Sequence, residues 1–350
     1  MRVFLKKLLL RTTFCSCALS IGLFEAKSDA VVDFYRSKQV TMLIATSPGG
    51  DYDLRGRMLA RYLDKYIPGN PVIVPRNMPG GVGLQAANWM YNVAPKDGST
   101  LHMIMQNMPM QQVLKAPGVQ FDAAKFIWIG NTTDTPNTII SWHTTGVRSI
   151  KDAQQHELIV GAPGTATPSV YFPIVMNALL NTKFKIIAGY PGGNDVNLAM
   201  ERGEVGGRAS VPMSSLNPDW ISGAKIHVLT QVGLTKDATI PDVPLLIDLA
   251  KNEEDRAVFH FMSADSAFAR AVVTTPEVPT DRVIALRRAF DATLKDPSVV
   301  EESRKARRDI SPIKGEDVQV IVEKILQTPE AVINRTKKLL EGASSVQNAN

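Results

Sequence analysis

The chain has 350 residues, enough for two ordinary domains and too many for one comfortable core. Its 44% hydrophobic and 21% charged residues exclude intrinsic disorder, and 24 glycines with 22 prolines exclude collagen-like or low-complexity sequence. The formal net charge of +5 points toward nucleic acid until its distribution along the chain is considered.

Residues 1–30 have the pattern of a secretory signal. Arg2, Lys6 and Lys7 open it, Thr12–Phe24 is mostly apolar, and Ser28-Asp29-Ala30 places small residues at the usual cleavage positions. The apolar run of thirteen residues is shorter than the about 20 needed to span a bilayer. Cleavage after Ala30 removes Arg2, Lys6, Lys7, Arg11, Lys27, Glu25 and Asp29, so 39 basic and 34 acidic side chains become 34 and 32. The net charge falls to +2, and nucleic acid loses its main support. Cys15 and Cys17 are the two cysteines and leave with the signal, so no disulfide, thiolate nucleophile or Cys-ligated metal is expected. A soluble periplasmic protein follows.

The remainder alternates short β-rich runs with helical patterns, which predicts α/β architecture with largely parallel sheets. Val40–Ala45 reads as a strand. Asp53–Ile67 reads as an amphipathic helix, with Leu54, Met58, Leu59, Tyr62, Leu63 and Tyr66 on one face and Arg55, Arg57, Arg61 and Lys65 off it. Strand Val72–Val74, helix Leu84–Val93 and strand Leu101–Met105 follow. Phe126–Ile129 and Thr138–Ser141 are strands joined where the chain crosses to a second domain. There the alternation restarts: strand Leu158–Gly161, helix Ser169–Leu180 with a kink expected at Pro173, strand Phe184–Ile187, helix Val196–Arg202, strand Ile226–Thr230. Ala271–Thr274 is one more strand, and the chain is then almost all helix to Gly342. A helical stretch without its own strands is expected to return and cover the first sheet. The expected domains are 31–137, 138–266, and 267–350 returning to the first.

Four loops carry the chemistry. Thr46-Ser47-Pro48-Gly49-Gly50-Asp51-Tyr52-Asp53 joins the first strand to its helix, a context that leaves backbone N–H groups and a helix N-terminus for an anion. The plain alternative is a β–α turn capped by Asp53. Gly161-Ala162-Pro163-Gly164-Thr165-Ala166-Thr167-Pro168-Ser169 has the same context in the second half, with Thr167 as N-cap before a proline at the first helical position. Gly189–Asp195 is a third such loop. Gly206-Gly207-Arg208-Ala209-Ser210 is a fourth, after which Pro212 is able to start a helix; Arg208 suits a bidentate carboxylate or a plain surface position equally.

From Lys38 to Ile325 the chain resembles the Bug family, the periplasmic receptors of tripartite tricarboxylate transporters. The resemblance rests on an ordered set: Lys38-Gln39-Val40 leading to Pro48-Gly49-Gly50 with Asp53, then Asn77-Met78-Pro79-Gly80-Gly81-Val82-Gly83, Ala94-Pro95-Lys96-Asp97-Gly98, Gly161–Pro168, Tyr190–Gly193 and Gly203-Glu204-Val205. It implies a two-domain α/β flytrap with a ligand cleft between the domains, in which facing loops hold a carboxylate through backbone N–H groups. Carried over by position, the contacts are Ser47, Gly49, Gly50, Asp51, Tyr52 and Asp53 from one side and Gly164, Thr165, Ala166, Thr167 and Ser169 from the other. Gln106, Asn107, Asn131, Gly192 and Asp195 are secondary positions. Pro191 stands where the family usually has Lys, Gly206 where Asp is common, and Tyr171 where a His often begins the helix.

Other patterns are weaker. Gly81-Val82-Gly83-Leu84-Gln85-Ala86 fits a loose dinucleotide loop but is separated from its strand by Pro75–Pro79. Asp51-Tyr52-Asp53 admits a metal-dependent secreted enzyme as the alternative function. His102, Met103, Met105, Met108 and Met110 form a soft-ligand group better explained as buried filler. The five histidines have no metal-ligand spacing, and no G-x-S-x-G elbow or P-loop is present. The expectation is a monomeric receptor, not an enzyme, without cofactor or metal, partnered by a small carboxylate and by integral membrane transporter subunits.

Overall fold

A computed structural model describes residues 30–347 except Thr135, Ala166, Arg307 and Asp309. Residues 1–29, which hold both cysteines and nearly all of the expected export signal, lie outside it. Among the described residues no helix is long and apolar enough to cross a membrane.

The first half begins with α1 (30–36), β1 (Val40–Ile44), α2 (Asp51–Tyr62), β2 (Ile73–Asn77), α3 (Leu84–Asn92), β3 (Thr100–Met103), α4 (Met108–Val113) and β4 (Ile127–Asn131). In β1, Val40, Met42 and Ile44 enter one apolar cluster with Leu59 and Phe290, while Leu43 and, just past the strand, Ala45 enter another with Ala86 and Met90. A strand buried on both faces suits the middle of a parallel sheet, and β1 pairs in parallel with both β2 and β3.

The chain then crosses into β5 (Asn137–Trp142), α5 (Ile150–Gln155), β6 (Leu158–Ala162), α6 (Pro168–Leu180), β7 (Phe184–Ala188), α7 (Gly193–Glu201), β8 (Gly207–Pro212), α8 (Pro218–Ser222) and β9 (Ile226–Val232). These make a second sheet in the order β7-β6-β8-β5-β9. Its β6 pairs in parallel with β7 and β8, whereas β5 pairs antiparallel with β8 and β9.

After α9 (Glu253–Ser263) the chain returns as β10 (Ala271–Thr274), antiparallel to both β3 and β4. Next come α10 (Thr280–Thr293), α11 (Pro297–Lys305), β11 (Ile313–Lys314), α12 (Gly315–Leu326) and α13 (Glu330–Gln347). The first sheet therefore runs β11-β4-β10-β3-β1-β2. The architecture is two-domain α/β, as expected, but the sheets are mixed, because each receives strands from a crossing segment that must enter antiparallel.

Three local expectations are corrected. Gly206–Ser210 is not a loop before a helix: Gly207 to Pro212 form β8, the middle strand of the second sheet. A β-carbon at 207 would stand 2.5 Å from the Ile140 carbonyl oxygen, so glycine is what lets β8 approach β5. Arg55, placed on the polar face of the first helix, is buried because Asp51 one turn earlier pairs with it. Finally, α10 and α12 cover the first sheet, but α13 passes on to pack against α6 and α9.

Candidate functional site

The cleft between the two sheets has a volume of about 530 Å³ and is lined by segments following β1, β2 and β3 on one side and β6, β7 and β8 on the other. The carboxyl ends of parallel strands are where open α/β sheets leave crevices. Ser47, Gly49, Gly50, Asp51, Tyr52 and Gln106 line it from the first half; Thr167, Ser169, Gly192, Asp195 and Arg208 line it from the second. Asp53, Asn107, Asn131, Gly164 and Thr165 are not part of its lining, and Ala166 is outside the described residues.

The loop after β1 turns through Gly49 at φ 90°, a conformation that favours glycine, and Gly50 is the N-cap of α2. Asp53 is therefore the third residue of the helix and not its cap. It reaches back to accept the Gly49 N–H at 2.9 Å and is held by Arg57 Nε at 2.9 Å and Asn77 Nδ2 at 2.8 Å. These partners keep its carboxyl below the usual range against the opposing effect of burial. Asp53 shapes the loop from behind.

Asp51 faces a cluster of arginines. Arg270 Nε lies 2.7 Å from it, Arg55 Nε 3.2 Å and Arg308 Nε 3.7 Å. Burial alone would raise this carboxyl, but the guanidinium of Arg270, then that of Arg55, holds it down to about 2. The Arg270 guanidinium also lies over the Tyr52 ring at 5.1 Å. Tyr52 donates its hydroxyl to the Ala269 carbonyl at 2.6 Å, and burial pushes it up to about 12.

Gln106 donates its backbone N–H to the Tyr52 hydroxyl oxygen at 3.4 Å, and its Oε1 accepts from Arg270 at 3.4 Å. Behind it, Asp265 is buried with neither carboxylate oxygen in hydrogen-bond geometry, and burial pushes its carboxyl up to about 7 against Gln106 and Arg270. Asn131 is buried where β4 ends. It donates to the Thr133 carbonyl and accepts the Arg270 N–H at 3.0 Å, which ties the first crossing to the returning segment. Asn107 is buried at the start of α4.

On the second half, α6 begins at Pro168 as expected, yet the Thr167 hydroxyl does not cap it: it donates to the Gly164 carbonyl at 2.7 Å. Ser169 donates to the Ala209 carbonyl at 2.6 Å. Thr165 is exposed outside the cleft. Arg208 extends from β8, and its Nη1 donates to the Gly193 carbonyl at 3.1 Å and to Asn197 Oδ1 at 2.8 Å. Burial, then the like charge of Arg270, pulls its guanidinium down to about 10.

Several lining residues escaped the sequence reading. Arg270 stands outside any motif, just before a strand, and reaches the cleft because β10 inserts between β3 and β4. Thr46, Asn137 and Ser215 each line the cleft with a buried side-chain atom that has no hydrogen-bond partner: Thr46 Oγ1, Asn137 Nδ2 and Ser215 Oγ. Thr46 belongs to the first glycine loop; Asn137, at the start of β5, and Ser215, in the turn after β8, are isolated polar residues without a motif.

The weaker patterns resolve structurally. His102 is fully buried in β3, its Nδ1 3.2 Å from the Leu43 carbonyl, and burial lowers its ring to about 4. The Asp51–Asp53 pair is engaged by arginine at both carboxylates, which disfavours a cation there. Among the described residues no group of three or more His, Cys, Asp or Glu is arranged to hold a metal ion.

No protein-family model matches the chain. A curated protein of Cupriavidus necator, described as a UPF0065 protein in the gbd 5′ region, is 24% identical over 246 residues, spanning 68% of this chain and 72% of its own. Among solved structures, the periplasmic binding protein BugD is similar at a TM-score of 0.64 and 18% identity, covering 88% of this chain and 98% of BugD. MatC from Rhodopseudomonas palustris with bound malate gives 0.65 and 18%, over 87% of this chain and 99% of MatC. Another R. palustris protein, with adipate, gives 0.65 and 18%, over 86% and 97%. The fold is therefore that of a two-domain periplasmic binding protein. Within that class it is the fold of the Bug-type proteins, the family that the glycine loops resemble.

Proposed function

We propose that this chain is an extracytoplasmic solute-binding receptor, not an enzyme, which captures a small carboxylate-bearing ligand between its halves and passes it to the membrane subunits of a tripartite tricarboxylate-type transporter. The observation that carries this reading is a set of unengaged donors on residues that line the cleft: Thr46 Oγ1, Gln106 Nε2, Asn137 Nδ2, Arg208 Nε and Ser215 Oγ. Buried donors left unpaired are costly, and a ligand rich in acceptor oxygens offers partners to such residues when the halves close on it. The helix α2 opens at the same wall, where its first-turn N–H groups and dipole favour negative charge. The malate and adipate held by proteins of this fold are ligands of that kind.

The proposed mechanism is an equilibrium. Donors come from both halves, so a ligand touches all of them only when the halves are together, and its differential affinity shifts the population toward closure. A bond from Asn194 Nδ2 to the Gly49 carbonyl at 3.4 Å already bridges the two lips. The loops Ser47–Tyr52 and Gly192–Asp195 are the proposed ligand contacts, supported by Gln106 and Ser169.

The test is thermal unfolding of protein that has been unfolded and refolded to strip any carried-over ligand, against a panel of small carboxylates. A ligand at about a hundred times its dissociation constant adds about 2.7 kcal/mol, a rise of several degrees. A panel without any shift after refolding refutes the receptor reading.

A further inference from the structure

The turn after β2 runs Gly80-Gly81-Val82-Gly83 into α3, so over these four positions valine carries the one side chain. All four residues have positive φ, at 145°, 54°, 53° and 92°. Val82, at φ 53° and ψ 43°, is in the left-handed region, where the β-carbon of an L-residue crowds its own backbone. Branching at that carbon makes the crowding worse. Seven non-glycine residues among those described have positive φ, and Val82 is the β-branched one. Glycine would suit the turn better, so the strain is tolerated for the sake of the side chain.

That side chain lies on the cleft. Val82 lines it from the first half, with Pro79 and Met105, and meets the second half at Gly164. A β-carbon at Gly164 would stand 3.4 Å from Val82 Cγ2. Gly164 is not in the left-handed region, so its own backbone does not call for glycine. What its missing side chain leaves open is the space against which the valine methyl packs. An apolar group seated between the halves takes room from whatever they enclose, and rejection by a clash is a means of specificity.

We infer that Val82 is a specificity-determining residue, whose isopropyl group closes against Gly164 and limits the length of the hydrocarbon part that a carboxylate ligand can carry. This inference rests on the carboxylate-receptor reading above and adds a size limit to it. An apolar contact distinguishes ligands that differ by one methylene, so the limit is measurable as a step in affinity along a homologous series.

The experiment is calorimetry of the refolded protein with straight-chain diacids from malonate to azelate and the matching monocarboxylates. It is run on wild type, Val82→Gly and the near-isosteric Val82→Thr. Wild-type affinity is expected to peak at one chain length and fall by about tenfold or more within two further methylenes. Val82→Gly is expected to move that fall to chains longer by at least one methylene, and Val82→Thr to leave it in place. The ligand-free melting temperature of Val82→Gly is expected not to drop, since the strained backbone is relieved.

A fall at the same chain length in wild type and Val82→Gly overturns the inference and leaves the receptor reading standing, as does a wild type indifferent to chain length. Equal losses at every length in Val82→Gly, with a lower melting temperature, show a structural role and also overturn it. No binding by any carboxylate overturns both.

Discussion

The loops after β1 and β6 read alike in the sequence, face each other across one cleft, and are built differently. In the first, Asp53 gathers Gly49, Arg57 and Asn77 behind the turn, leaving Gly49, Gly50 and Asp51 on the cleft wall. In the second, the hydroxyl protons of Thr167 and Ser169 already go to the Gly164 and Ala209 carbonyls, and Thr165 points away. The unengaged donors of the second half sit instead on β5, β8 and the turn after it, at Asn137, Arg208 and Ser215. A small-residue loop before a helix provides only a permissive backbone. What it offers a ligand depends on which of its polar groups the fold has already engaged.

The largest contrast is expected between Gly50→Val and Thr165→Val. Gly50 has φ −78° and a β-carbon there meets nothing within 4 Å, so valine fits the backbone while filling the cleft. Carboxylate binding measured by calorimetry is expected to vanish with the melting temperature shifted by no more than about 2 °C. Thr165→Val is expected to change affinity by less than about twofold, a few tenths of a kcal/mol. The reverse pattern would place the clamp on the second loop.

Next in size is Asp53→Ala. It removes a buried acceptor of three partners and is expected to cost about 2–4 kcal/mol in denaturant unfolding. A loss below about 0.5 kcal/mol would show that the first loop holds its shape without this support.

Asp265 gives a pH signature. Its carboxyl is raised to about 7 in the folded chain, so the folded state holds a proton that the unfolded state has lost. Stability of the ligand-free protein is expected to decline as pH rises from about 4 toward 7 and then level off. Asp265→Asn should flatten that decline. Asp51, held down to about 2, works in the opposite sense: its contribution is present above about pH 4 and lost as pH falls toward 2. A pH profile identical in wild type and Asp265→Asn would show that Asp265 ionises freely. The smallest effect belongs to Asn194→Ala, which removes one exposed bond between the lips and should weaken affinity by less than about twofold.

Local pattern reached far along this chain. Periodicity located β1, α3, β6, α6 and β10 to within a residue or two, because each has apolar side chains at the spacing of its own geometry. The five wall residues Ser47, Gly49, Gly50, Asp51 and Tyr52 are legible in local composition, as a glycine-rich turn between a strand and a helix N-terminus. Pattern failed at β8, where Gly206-Gly207 has the composition of a turn and Ser210 sits at φ 59°; pairing with β5 and β6 overrode that composition.

The α/β class and the loop positions follow from interactions between near neighbours, and such interactions are written in consecutive residues. The charge balance of the cleft is of another kind. Arg270 meets Asp51 across 219 positions, and Asn131 receives the Arg270 N–H across 139. Which arginine finds a carboxylate, and which is left open to a ligand, is decided by long-range packing that brings β10 between β3 and β4. Desolvation and ion pairing act through space, so no local reading of Arg208 or Arg270 separates a surface charge from one that faces a binding cleft.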